Sequence, residues 1–303
     1  MVKVAVAGGT GNFPSALLPT VIGANHKVTI FTRGKAPDNP LPGATYRTVD
    51  YNDRTGLTEA LAGFDACLSF MTPAADPDAA IERNLIHACI DAGSIKNDNG
   101  VAMFQHRRDT AAYLAEVNRD KAVLEYSLFQ PSIFMDYFGH PYPLASSLNT
   151  WPWLIDFENR RAIVLEDGDQ PFVLTAASDI ANVLALALAD DRPWPTVGGM
   201  RSCRTTYNEL IALGKVLRPG DWKTDHVKRK DVENDVLTSS WVPQIAHPAI
   251  SDEAKAKLSN SFALSLLVSL GRGAWDVSDE WNKRFPEYKF MSIEEYLKVW
   301  RGR

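Results

Sequence analysis

An apolar run at residues 2–7, VKVAVA, breaks into Gly8-Gly9-Thr10-Gly11 and then into the helix-forming Ser15-Ala16-Leu17-Leu18. No other stretch narrows the fold so far. A short β-branched run that ends in glycines predicts a buried parallel strand. Glycines at positions 8 and 11 allow a tight turn and let the backbone approach a pyrophosphate, which the N-terminus of the following helix then holds. The position after the first strand of a strand–helix repeat is what gives Gly8-x-x-Gly11 its meaning. Thr10, Asn12 and Phe13 share that turn and become candidate cofactor contacts. Pro14 stands where a third glycine or an alanine would bring helix and strand together. Proline is tolerated in a first helical turn because its missing N–H would be unpaired anyway. The expected effect is altered packing and a differently posed or weaker-bound cofactor, with the turn preserved.

The alternation continues down the chain. Strands are predicted at 27–32, 45–49, 66–71 and 124–130, and helices at 55–62, 77–92 and 108–117. Strands separated by helices of this length mean βαβ units, so the fold class is α/β with a Rossmann-type, doubly wound parallel sheet. Beyond Pro131 the pattern changes. Proline and aromatics crowd residues 134–153, and short strands at 162–165 and 172–174 lie around the turn Asp167-Gly168-Asp169. Ser178-Asp179 is expected to cap a helix over 180–189, and further helices are predicted at 206–217, 252–270 and 293–300. The expected organisation is a dinucleotide-binding domain over 1–150, to which 162–190 contributes. A smaller, mainly helical substrate lobe is expected from 151–303.

Composition removes several function classes. Lys and Arg number 32 against 37 Asp and Glu, a formal charge of −5 over 303 residues, which lacks the basic excess of a nucleic-acid protein. The same balance argues against general attraction to anionic membranes. Hydrophobic residues at 45% and charged residues at 23% are the proportions of a globular protein with a sizeable core. Cys67, Cys89 and Cys203 have no C-x-x-C spacing and are read as buried thiols. The six histidines show no metal-like spacing, so no metal site is expected. The N-terminus enters a strand at once, with no leader pattern, which predicts a cytoplasmic protein.

The end of the second strand sets the expected cofactor. An acidic residue there would take the ribose hydroxyls of NAD, whereas arginine suits a 2′-phosphate. The sequence reads Thr32-Arg33-Gly34-Lys35, two cations and no carboxylate, so NADP(H) is expected, with Arg33 and Lys35 as its phosphate contacts. Met71-Thr72 closes the fourth strand, where a parallel sheet opens its ligand crevice, and is expected to pass under the cofactor. The aromatic group Phe134, Tyr137, Phe138, Tyr142, Trp151 and Trp153 fits an apolar pocket for a small aromatic substrate, and equally fits core packing. Asp136 and His140 lie close enough to cooperate in its wall.

These features together resemble the NmrA-like and isoflavone-reductase-like atypical short-chain dehydrogenases. The resemblance is carried by Gly8-Gly9-Thr10-Gly11 with Arg33, by Leu124-Glu125-Tyr126-Ser127-Leu128-Phe129-Gln130-Pro131, and by Phe134-Met135-Asp136-Tyr137. The stretch from Asp156 to Ile163 is similar to fungal members. Trp194-Pro195-x-Val197-Gly198-Gly199 and Gly273-Ala274-Trp275 through Trp281 extend the likeness over nearly the whole chain. The resemblance implies an NADP-binding Rossmann domain with a small substrate lobe, in a family that holds both reductases and non-catalytic regulators.

Two departures bear on catalysis. The resemblance places a proton-transferring lysine where this chain has Arg107. Arginine stays protonated at any working pH, so Arg107 cannot serve as a general base, though it can polarise a carbonyl or hold a phosphate. After Gly93-Ser94-Ile95-Lys96 the polar Asn97-Asp98-Asn99-Gly100 stands where a fifth apolar strand is expected, so that strand is read as missing or rebuilt. The reading that follows is an NADPH-dependent reductase of a small aromatic or conjugated substrate. Its alternatives are a non-catalytic NADP(H)-binding regulator that meets a protein partner, and a redox-neutral isomerase or cyclase. No nucleic-acid or membrane partner is expected.

Overall fold

The computed structural model describes residues 1–71, 79–93, 96–99, 105–246 and 251–302, with the backbone alone described at 96–99, 105–108, 252, 256 and 257. In chain order the first half holds β1 (Lys3–Ala7), α1 (Asn12–Gly23), β2 (Lys27–Thr32), β3 (Thr45–Thr48), α2 (Arg54–Leu61), β4 (Ala66–Ser69) and α3 (Ala80–Asp91). It continues with β5 (Lys96–Asn99), α4 (Gln105–Val117) and β6 (Tyr126–Gln130). Then come β7 (Ile133–Phe134), a 3-10 turn (Met135–Gly139), β8 (Ile155–Asp156), β9 (Arg161–Leu165), β10 (Phe172–Thr175) and α5 (Ala177–Ala189). The last part holds β11 (Val197–Gly199), β12 (Cys203–Thr205), α6 (Tyr207–Leu217), β13 (Lys223–Val227), α7 (Arg229–Glu233), α8 (Asp252–Gly271), α9 (Glu280–Arg284) and α10 (Ile293–Tyr296).

The chain forms two compact units. The first comprises Met1–Gln130, Ile180–Met200 and Ser278–Pro286; the second comprises Pro131–Asp179, Arg201–Val277 and Glu287–Arg303. The expected boundary at residue 150 thus stands at Gln130, where β6 ends and Pro131 stops the strand. The segment over 162–175 forms small sheets of the second unit, and it is Ile180–Met200 that returns to the first.

The first unit is a seven-stranded sheet in the order β11-β6-β5-β4-β1-β2-β3, and every pairing is parallel. This is the expected Rossmann-type α/β sheet. Strand alternation sends Ala5, Ala7, Phe31 and Cys67 to one face, where Leu57 and Leu61 of α2, Leu85, Ile86 and Cys89 of α3 and Leu114 of α4 bury them. Val4, Val6 and Ile30, one residue out of step, are buried on the other face. His26, just before β2, contacts the Ala185 carbonyl of α5 through Nε2 at 3.2 Å. Burial on both faces explains why β1 reads as a continuous apolar run.

β5 corrects the sequence reading. A strand does form at Lys96–Asn99, paired in parallel with β4 through Ala66↔Lys96 to Ser69↔Asn99 and with β6 through Asn97↔Tyr126. Ladder bonds are made by peptide groups, so a slot between two apolar strands can be filled by a segment whose side chains give no strand signal.

Two glycines at the sheet edge explain the Val197-Gly198-Gly199 motif. A Cβ at Gly198 would strike the Trp281 indole and come within 2.7 Å of Ser127 Oγ, and one at Gly199 would strike Ser278. Trp281, fully buried on α9, stacks on Phe129 of β6 at 4.8 Å.

The second unit sets two three-stranded sheets, β12-β10-β7 and β13-β9-β8, beside its helices. β9 and β10 fall in different sheets, so the turn at 167–169 does not join a hairpin. The helix expected over 206–217 forms as α6, and Thr206 is its cap, in a capping box with Glu209. α5 begins earlier than expected, at Ala177, and Asp179 lies inside its first turn. The residue that satisfies the α5 start is Asp136, whose Oδ2 accepts from the Ala177 N–H at 2.9 Å. Asp179 instead accepts from Tyr288 Oη at 2.7 Å, the Met291 N–H at 2.9 Å and Ser202 Oγ.

Candidate dinucleotide site

The glycine turn is built by two separate steric demands. Gly8 has φ of +70°, and a Cβ there would lie 2.8 Å from the carbonyl carbon and oxygen of Phe70, at the end of β4. Only glycine meets both conditions. Gly9 packs under Val6 and Ile30, which a Cβ would meet at 2.8–2.9 Å. Gly11 differs. Its φ is −78°, and the nearest atom to an added Cβ is Pro14 Cδ at an ordinary 3.6 Å. The protein itself does not require glycine at position 11, so the missing side chain leaves room on the ligand side.

Pro14 occupies the third position of α1 and is buried. Its absent N–H is one of the first-turn donors that has no helical partner, so the helix starts intact and Ser15 N–H reaches Gly11 O at 3.1 Å. Asn12 and Phe13 form the rest of that turn. Phe13 packs edge-on against Phe70, centroids 5.7 Å apart.

A cavity of about 460 Å³ runs from Gly8, Thr10 and Gly11 to Arg33, Gly34 and Lys35. Met71 lines it too, as the sequence suggested, and it is almost buried. Arg33 and Lys35 are exposed, and neither has an ion-pair partner among the described residues. Thr72 lies outside the described residues. Arg107 lies in the first turn of α4, and its side chain is outside the described part.

Three lining residues gave no sequence signal. Tyr51 belongs to a segment that reads as a polar turn, yet its ring is buried at the cavity and its hydroxyl donates to Phe31 O at 3.2 Å. Burial pushes its phenol well above the ordinary value. Phe70 and Ile81 complete the wall. Next to Ile81, Glu82 is fully buried: Ser69 Oγ and Thr110 Oγ1 each donate to its carboxylate at 2.9 Å. The signal for Glu82 was there, a lone charge on the apolar stripe of α3.

The aromatic residues of the second unit pack mainly on one another. Tyr137 lies 5.1 Å from the Trp151 ring and 4.6 Å from Trp153, and both tryptophans face Phe262. Asp136 and His140 do not pair: Asp136 is buried on backbone N–H groups, while His140 Nδ1 meets Thr150 Oγ1 at 3.1 Å. His140 and Tyr142 line a second, polar cavity of about 380 Å³. Among the described residues no cluster of three or more His, Cys, Asp or Glu can hold a metal. No described helix is long and apolar enough to cross a membrane.

A parallel sheet whose first strand turns through Gly8 and Gly11 into a helix, with cations at the end of the second strand, defines a protein of the Rossmann class. No family model matches the chain. Oxidoreductase swnN of Metarhizium robertsii is 21% identical over 336 residues, covering 98% of this chain and 97% of that protein. The isoflavone reductase homolog IRL of Zea mays is 21% identical over 323 residues, with 97% of each chain covered. The structure of AtPrR2 with NADP+ and (+)pinoresinol superposes with a TM-score of 0.68 at 18% identity, over 99% of this chain and 98% of that one. In sequence and in fold, the chain therefore resembles the isoflavone-reductase-like proteins that its motifs indicated.

Proposed function

We propose that the protein is an NADPH-dependent reductase of a small aromatic or conjugated substrate. The observation that carries this reading is one cavity that joins the Gly8–Gly11 turn to Arg33 and Lys35, which have no ion-pair partner among the described residues. A dinucleotide fits these residues. The N-terminal end of α1 and the open space at Gly11 suit a pyrophosphate, while Arg33 and Lys35 suit the 2′-phosphate that separates NADP from NAD. Relatives named as an oxidoreductase and an isoflavone reductase homolog, and a similar fold bound to NADP+ and pinoresinol, support it.

NADPH, when bound, supplies a hydride. The chain's part is to hold and orient the cofactor and to polarise the acceptor. Arg107 keeps a fixed positive charge in the first turn of α4 and can stabilise a developing oxyanion, but it cannot shuttle a proton. The proton must then come from another donor or from water. That same feature favours a second reading, a dinucleotide-binding regulator without turnover.

Titration with NADPH and NADH, followed by NADPH absorbance with a panel of aromatic enones and ethers, separates the readings. The reductase reading expects preferential NADPH binding and consumption. Tight NADPH binding without turnover across the panel would leave the regulator. Arg33→Ala is expected to weaken NADPH about tenfold to a hundredfold, from the loss of a charge-assisted bond of about 1.5–3 kcal/mol, with little effect on NADH. Equal losses for both would refute the phosphate assignment.

A further inference from the structure

The carbonyl of Gly34, between the two cations, is gripped from two strands at once. Thr32, the last residue of β2, donates through Oγ1 to Gly34 O at 2.6 Å. Thr48, the last residue of β3, donates to the same oxygen at 2.9 Å. Thr32 and Thr48 are direct partners in the β2–β3 ladder, so both hydroxyls come from one rung of the sheet. Both lone pairs of that oxygen are thereby used.

Peptide geometry carries the consequence. A trans peptide is planar, with its C=O and N–H pointing in opposite directions. An oxygen fixed toward the strand ends turns the N–H of Lys35 away from them. No described residue accepts from that N–H, and an added Cβ at Gly34 would meet no atom within 4 Å. The turn therefore offers a guanidinium, an ammonium and a backbone N–H in an order set by the strands.

We propose that Thr32 and Thr48 are positioning residues that set the cofactor's phosphate specificity: their shared grip on Gly34 preforms the Arg33–Lys35 turn as a clamp for a phosphate monoester. The inference rests on the NADP(H) reading and deepens it. It makes two hydroxyls that need not touch the cofactor determinants of NADP over NAD, and it adds the Lys35 N–H to the two side-chain cations. Without the grip the cations stay, but the peptide between them can rotate, and ordering it falls to the ligand.

Thr48 is exposed on an edge strand, so Thr48→Val keeps shape and strand propensity while removing the donor; Thr48→Ser keeps the donor. Binding of NADPH, NADH, adenosine 2′,5′-bisphosphate and 5′-AMP to the full chain reads the effect. Thr48→Val is expected to weaken NADPH and the bisphosphate about fivefold, the worth of one neutral hydrogen bond, and to leave NADH and AMP unchanged. Thr48→Ser is expected to restore binding. Thr32→Val, folded by its circular dichroism, is expected to act in the same direction. Weakening of all four ligands alike, or of none, overturns the grip as a specificity device even if the native protein prefers NADPH. A native protein that binds NADH as well as NADPH overturns the cofactor reading and this inference with it.

Discussion

Gly8 and Gly11 occupy one turn, but the chain needs them for different reasons, and alanine substitution separates the two. Gly8→Ala must place a Cβ at φ of +70° against the Phe70 backbone. Left-handed strain alone costs about 1–2 kcal/mol, so a loss of about 2 kcal/mol or more in denaturant unfolding is expected. Gly11→Ala meets only ordinary contacts and is expected to leave stability within about 0.5 kcal/mol of the native value. Its expected cost appears in NADPH affinity, measured by titration. A Gly11→Ala protein that binds NADPH unchanged would show that the pyrophosphate does not approach this position. At this scale the sequence was informative. Gly8, Thr10, Gly11, Arg33, Lys35 and Met71 all line the cavity, because a glycine turn and a strand end are fixed by local geometry. Tyr51 was not legible, since its partners, the Phe31 carbonyl and the Asn84 side chain, lie far from it in the chain.

α3 shows how an element can carry one polar anchor in an apolar stripe. Glu82 takes hydroxyl donors from Ser69, the end of β4, and from Thr110, one turn after Arg107 on α4. Glu82→Leu deprives both buried hydroxyls of this acceptor, at about 1–3 kcal/mol each, so a loss of at least about 2 kcal/mol is expected by urea unfolding. Glu82→Gln retains an acceptor oxygen and is expected to lose less. Equal stability of the leucine protein would mean that the hydroxyls find other partners. Apolar periodicity located α3 and marked Glu82 as a lone charge on its stripe, but was silent on the partners that hold it. The same blindness hid β5, whose four polar residues carry no strand signal and whose place is dictated by the β4 and β6 edges on either side. For α5, the cap came from Asp136 instead of the adjacent Ser178-Asp179. A helix start can be satisfied by any carboxylate brought to it, and sequence proximity does not decide which.

At the scale of the molecule, three imidazoles among the described residues are favoured in the neutral form by burial. His26, His87 and His140 all have pKa values pushed below the ordinary 6.5, desolvation being the largest cause in each. The unfolded chain therefore takes up protons on these groups first as pH falls. The stability they confer is complete above pH 6.5 and is lost progressively below it, down to their folded-state values. Thermal melts from pH 8 to pH 5 are expected to show a falling Tm below about pH 6.5, and His26→Gln to flatten part of that fall. A Tm that holds constant across this range would contradict the sign. The interleaving of the two units has a consequence in time. The first unit takes Phe129 from its first segment, Trp194 from its second and Trp281 from its third. A ribosome that has released Gln130 must still add the residues up to Pro286 before the last of these is present. At about 5–20 residues per second, that is a wait of about 8–30 s. The dinucleotide-binding unit, though it begins before the second unit, is thus finished only after most of that second unit has been made.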